Sequence, residues 1–237
     1  MKTILASVAF SVVAVAQSSA PVKLAPEDRG DLYMVRKMYR EAIDAYRSVG
    51  PGSAVLWNKI GIAYHQLGEL EAARRSYQRA VKLDKKFADA INNEGTVFYA
   101  QKKYRTAVVR YKKALSISPN SAAFWSNLGT AYYARGNFEE MTKAYTRALE
   151  LNPEIFEARG SIGTRVQERN VEDKARYHYE LARLYANAGK NELALQYLRK
   201  ALEEGFKQRE KLQGKEFAAL RETQEFKDLM SLEPRVL

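Results

Sequence analysis

The stretch from Ala54 to Ile155 is written three times over. Shifted against itself by 34 residues, it brings Trp57, Ile91 and Trp125 into one column, followed by Ile60, Glu94 and Leu128, then Gly61, Gly95 and Gly129, then Tyr64, Phe98 and Tyr132. The second half of each copy repeats as well: Ala73, Ala107 and Met141; Tyr77, Tyr111 and Tyr145; Ala80, Ala114 and Ala148. Pro119 and Pro153 close two copies, and Lys85 stands where the first copy lacks its proline. A unit of this length cannot bury its apolar face alone, so a chain built from it must stack neighbours into an array.

Within each copy the apolar residues recur at three- and four-residue steps, the spacing of one face of a helix. The glycine eight residues in, and the alanines opposite it, remove side-chain bulk where two antiparallel helices approach, while the aromatics fill the space between pairs. Gly68 and Gly136 suit the tight turn between the two helices of a copy, and Lys102 departs from that pattern. Trp, Gly, aromatic, Ala, aromatic, Ala and Pro in this order at a period of 34 resemble the tetratricopeptide repeat. The resemblance implies an all-α fold, a right-handed α-solenoid of stacked helix-turn-helix repeats.

Flanking segments divide the rest. Lys2, the uncharged apolar run Ile4–Val15 and the small-residue site at Ala14 and Ala16 read as a signal peptide over 1–16. The run is too short for the ~20 residues that span a bilayer. This predicts an exported protein, periplasmic or secreted, cleaved near Ala16, with no transmembrane helix in the mature chain. The absence of cysteine excludes a lipoprotein anchor and disulfides.

Residues 17–30, with two prolines and a glycine, read as a flexible lead-in, and 31–53 as one helix or a degenerate pair capping the array, with Ala42 and Tyr46 in repeat positions. Repeats 1, 2 and 3 occupy 54–87, 88–121 and 122–155. Residues 156–174, rich in Gly, Ser, Thr and Arg, read as an irregular insertion. Helical pattern resumes at Val171, and a degenerate fourth repeat over 175–208 carries Ala182, Tyr185, Gly189, Ala194 and Leu198. Leu212, Phe217, Leu220, Phe226, Leu229 and Met230, set among charges in 209–237, predict a helical cap; the tail resembles that of other repeat proteins of this kind.

No catalytic constellation emerges. His65 and His178 lie far apart in sequence and lack ligand-spaced companions, no Gly-x-Ser-x-Gly elbow occurs, and Gly160–Gly163 follows no strand. The reading is therefore a non-enzymatic protein with no cofactor and no metal. His178, in the place of a repeat aromatic, reads as a packing residue.

Charge is the second constraint. The chain carries a formal +11, and between Asp31 and Lys113 seventeen basic residues face eight acids. Arg74, Arg75, Arg79, Lys82, Lys85 and Lys86 crowd one second helix, and Lys102, Lys103, Arg105, Arg110, Lys112 and Lys113 the next. The resemblance puts these helices on the convex side. That basic stripe either solubilises the array or attracts an anionic surface: acidic lipid, acidic protein or nucleic acid. Export speaks against nucleic acid, and most of the fifteen tyrosines occupy packing positions rather than a base-stacking platform.

The resemblance also implies a concave groove that takes a peptide or a partner helix, lined by the inner positions of each first helix. Carried over, these are Asn58, Ile62 and His65; Asn92, Thr96 and Tyr99; Ser126, Thr130 and Tyr133; and Arg176 and Arg183. Asn58 and Ile62 stand where a carboxylate clamp would have Lys and Asn, so that subtype is not implied. Asn93 and Asn127, one position on, read as structural. The expected function is an interaction scaffold of the cell envelope, and the alternative is an anion-surface binder acting through the convex face. The sequence leaves partner and oligomeric state open.

Overall fold

A computed structural model describes residues 24–156 and 171–231. The signal-peptide reading and the centre of the 156–174 insertion lie outside the described residues. Among those residues there are twelve α-helices and no strand: α1 (Pro26–Val35), α2 (Tyr39–Arg47), α3 (Ala54–Gln66), α4 (Leu70–Leu83), α5 (Ala88–Ala100), α6 (Tyr104–Ile117), α7 (Ala122–Ala134), α8 (Phe138–Leu151), α9 (Val171–Asn187), α10 (Asn191–Glu203), α11 (Ala218–Arg221) and α12 (Gln224–Ser231). They pack as successive antiparallel pairs into an α-solenoid closed at its carboxyl end by short helices.

The glycine column explains the pairing. A Cβ on Gly61 would meet the Tyr77 ring at 2.4 Å, on Gly95 the Tyr111 ring at 2.7 Å, and on Gly129 the Tyr145 ring at 2.4 Å. Each tyrosine lies flat against bare backbone, which sets the helix spacing. Gly30 does the same under Tyr46, at 2.4 Å. Residues 26–47 are therefore a shortened helix pair whose first helix begins at Pro26, inside the predicted lead-in, and not a single capping helix. Ala42, Ile43 and Tyr46 bury against Leu56, Ile60 and Ala63 of α3, and charge adds to this: Lys59 Nζ reaches Glu27 at 3.0 Å and Asp31 at 2.8 Å, and the Tyr46 hydroxyl donates to Asp31 at 2.7 Å.

The turns inside the pairs share one device. Met38, Glu69, Lys103, Asn137 and Lys190 each donate a backbone N–H to the carbonyl five residues earlier, at 2.8–2.9 Å, which requires a left-handed residue just before. Gly68, Gly136 and Gly189 supply it without steric cost, at φ 77°, 74° and 70°. Lys37 and Lys102 adopt φ 59° and 61° in the same place, so Lys102 breaks the sequence pattern without breaking the turn. Ser53 and Ser121 cap α3 and α7 by accepting from Leu56 N and Phe124 N.

Side chains cross-link successive pairs. Gln78 on α4 donates to Glu94 on α5 while Gln101 at the far end of α5 donates to Glu71 at the start of α4, so these helices run antiparallel. The first helices of neighbouring pairs run parallel, joined by an amide ladder: Asn93 Nδ2 donates to Asn58 Oδ1, Asn92 to Asn93, and Asn127 Nδ2 to Asn92 Oδ1.

The junction after α8 is different. Arg176 lies over Phe138 at 4.1 Å, Thr142 donates to Glu180 at 3.2 Å, and Lys190 Nζ donates to the Pro153 carbonyl at 2.5 Å. The sequence offset stays at 38, 38 and 37 along the crossing, so α8 and α9 run parallel. The α9–α10 pair is thereby reversed relative to the four pairs before it, while α9 and α10 remain an antiparallel hairpin, with Tyr185 stacked on Tyr197 at 5.3 Å and His178 bonded to Glu204. Helix α9 starts at Val171, so 171–174 are helical and continuous with the fourth repeat. Tyr177 locks the reversed helix to the array, with ring contacts to Tyr133 at 4.6 Å and Tyr145 at 6.4 Å.

The cap follows the predicted apolar residues. Tyr179 stacks on Phe206 at 4.4 Å, Phe217 approaches both Tyr179 and Phe226, and Leu212, Phe217, Leu220, Phe226 and Leu229 are buried, with Met230 partly so. The Arg209 guanidinium ties the two ends of the cap by donating to the Met230 carbonyl at 3.1 Å.

Candidate functional site

The inner row implied by the sequence divides into three groups. Asn58, Asn92, Thr130, Tyr99 and Tyr133 are at most 8 % exposed. Asn58 and Asn92 belong to the amide ladder. Thr130 donates to the Ser126 carbonyl and shares a hydrogen bond with Tyr145, while Tyr99 and Tyr133 pack against Tyr104 and Phe138. These five hold helices together, so the row is not an open groove along its length. Ile62, His65, Thr96 and Ser126 are half-buried, and Thr96 is tied to the Asn92 carbonyl and to the Tyr111 hydroxyl. Burial holds the His65 imidazole below its ordinary pKa, so it sits neutral.

Arg176 and Arg183 differ: both face a cleft that the parallel crossing opens between α8 and α9. Close packing of α9 on α8 is replaced by two adjoining cavities that share Thr146 and Glu150. The first, about 630 Å³, is walled by Phe138, Thr142, Lys143 and Arg147 on α8, by Arg176, Glu180 and Arg183 on α9, and by Lys211 of the cap. The second, about 520 Å³, continues past Leu149 and Pro153 on one side and Leu184 and Ala188 on the other. Arg176, Glu180, Arg183, Leu184 and Asn187 recur at three- and four-residue steps, one face of α9.

Most charges in the cleft are matched. Lys143 pairs with Glu139 and Glu140, Arg147 with Glu150, and Arg183 with the buried Glu180 at 3.2 Å and with Glu216 at 3.6 Å. Arg176 and Lys211 have no ion-pair partner among the described residues. The polar end of the cleft thus carries two uncommitted cations beside an aromatic ring, and the far end is mainly apolar, with Glu150, Asn187 and Lys190 also lining it. Among the described residues no three His, Cys, Asp or Glu side chains gather as a metal site, and no helix is long and apolar enough to cross a membrane.

Sequence reading missed Phe138, Thr142, Leu149, Leu184 and Lys211. Each has an ordinary repeat or cap signature, and only the reversal of α9 brings them together.

Stacked helix pairs with glycine–tyrosine crossings and an amide ladder define a helical repeat array. Family comparisons agree: "TPR repeat" matches 61–102 and 95–136, and "Tetratricopeptide repeat" matches 122–155 and 175–204. Together these cover more than half of the chain, which belongs to the tetratricopeptide-repeat family. None of the matching families is catalytic. No curated protein sequence matches the chain. Among solved structures it is similar to MamA, at 22% identity over 74% of this chain and 93% of that chain with a TM-score of 0.52, and to MamA residues 41 to the end from Desulfovibrio magneticus RS-1, at 20% identity over 76% and 92% with a TM-score of 0.52. At these identities the likeness is one of fold.

Proposed function

We propose that this repeat protein is an interaction scaffold that captures a segment of a protein partner in the cleft between α8 and α9. What carries the reading is the pairing of Arg176 and Lys211, uncommitted at one end, with the apolar wall of Leu149, Pro153 and Leu184 at the other. The fitting ligand is a peptide with an acidic residue followed, a few residues on, by apolar side chains. The half-buried inner residues Ile62, His65, Thr96 and Ser126 lie on the earlier pairs and are secondary in this reading. The Lys2–Ala16 signal supports a site of action in the cell envelope or outside it, which amino-terminal sequencing of exported chain tests by the cut near Ala16.

Selection of a displayed random-peptide library against the chain tests the binding claim. Enriched peptides carry Asp or Glu upstream of apolar residues, and Arg176→Glu with Lys211→Glu lowers their affinity about tenfold or more. Peptides that bind both forms equally would place recognition elsewhere.

A further inference from the structure

A second pocket lies near the amino end of the array. Arg47 at the end of α2 and Arg75 and Arg79 on α4 surround a pocket of about 240 Å³ whose aromatic walls are Trp57 and Tyr64 of α3. Arg47 donates to the Tyr64 hydroxyl at 2.7 Å, and Arg79 lies over the Trp57 ring at 4.5 Å. Trp57 is itself fixed, its indole N–H donating to the Pro51 carbonyl at 2.9 Å. None of the three arginines has an ion-pair partner among the described residues, and no carboxylate lines the pocket.

The repeat supplies an internal comparison. One repeat on, the places of Arg47, Trp57, Arg75 and Arg79 are held by Gln78, Ile91, Val109 and Lys113, so the cation set and the indole are gone. Two repeats on they are held by Lys112, Trp125, Lys143 and Arg147, so both return. There, however, Lys143 is neutralised by Glu139 and Glu140 and Arg147 by Glu150, and Glu140 occupies the place of Ala72. Indole and three cations together without acids occur only in the first of the three places. Three guanidinium groups held close repel one another, and Arg75 and Arg79 do so one helical turn apart. A bound anion relieves that repulsion.

We infer that this pocket binds a phosphate monoester, whether on a small molecule or on a lipid headgroup. A monoester carries close to two negative charges at neutral pH and several acceptor oxygens, which suits three planar donor forks better than a single carboxylate does. The pocket is too small for an extended chain, and its indole wall covers the ester side of the group.

Trp57 reports occupancy. In a Trp125→Phe chain, where Trp57 is the sole indole, glycerol 3-phosphate and inorganic phosphate produce a saturable fluorescence change. Sodium chloride at matched ionic strength and acetate do not, and Arg75→Gln weakens the response about tenfold or more with the thermal melt unchanged. In flotation, vesicles carrying phosphatidate retain the parent chain more than vesicles of equal charge carrying phosphatidylglycerol if the source is lipid. A phosphate response without that preference assigns a soluble ester. A response indistinguishable from chloride, one that survives Arg75→Gln, or one elicited by a glutamate-rich peptide and not by phosphate overturns the proposal. A change in melt for Arg75→Gln is met by Arg75→Lys, which keeps the charge, loses the fork and retains weakened binding.

Discussion

A Cβ on Gly95 would stand 2.7 Å from Cε1 of Tyr111, closer than side chains approach one another. The tyrosine is fully buried, so it has nowhere to yield. Gly95→Leu therefore overpacks the crossing and costs on the order of 1 to 3 kcal/mol or more. Urea unfolding reads the cost, and an unshifted midpoint would mean that this glycine does not face that ring.

Lys102 makes the opposite prediction. It holds φ 61° at a turn where three other pairs use glycine. A left-handed residue with a Cβ costs about 1–2 kcal/mol, part of which glycine returns as chain entropy in the unfolded state. Lys102→Gly raises stability by about 0.5–1 kcal/mol, and Gly68→Ala lowers it by a similar amount, both measurable as shifts in thermal midpoint.

These two sites also show what could be read from the sequence. The repeat register was legible because bulk is dictated at each crossing: only a small residue fits under Tyr77, Tyr111 and Tyr145, and it recurs every 34 residues. Gly30 obeys the same rule under Tyr46 but comes 31 residues before Gly61, and its helix is held by Lys59, Glu27 and Asp31 with little apolar face, so periodicity passed over it. The inner row was carried from the fold pattern, which fixes position and not exposure. Tyr99 and Tyr133 lie at such positions and are spent on packing. The cleft was illegible because the orientation of α9 is tied to contacts such as those of Tyr177 with Tyr133 and Tyr145, which leave the helical pattern of 171–187 unchanged.

The amide ladder is structural. Asn92 accepts from Asn127 and donates to Asn93, and both Asn92 and Asn127 are buried. Asn92→Ala leaves the Asn127 amide without that acceptor, at a cost of about 1–3 kcal/mol. The deficit appears in denaturant unfolding, with affinity for cleft-selected peptides unchanged.

Acid weakens the array through its histidines. Burial lowers the pKa of His65, and it lowers that of His178 against partial opposition from Glu204. Above the ordinary histidine value near 6.5 both rings are neutral, folded or unfolded, and their contribution is complete. As pH falls below that value the unfolded chain takes up protons first, and stability is lost progressively down to the folded-state pKa. The thermal midpoint drops between pH 7.5 and 5.5, and His65→Gln flattens that slope.

The reversed α9–α10 pair makes the proposed binding cleft, and cross-linking tests it most directly. The chain has no cysteine, so introduced pairs are unambiguous. Glu150, Asn187 and Arg176 are all exposed. With α8 and α9 parallel, Glu150 and Asn187 line the same end of the cleft, while Arg176 lies eleven residues, about 16 Å of helix, from Asn187. A short bis-maleimide therefore joins Glu150→Cys to Asn187→Cys within one chain, read by the intact mass, and leaves Glu150→Cys with Arg176→Cys unjoined. The reverse result, linkage of 150 to 176 and not to 187, would mean that α9 runs antiparallel like every earlier junction, and the cleft would not exist.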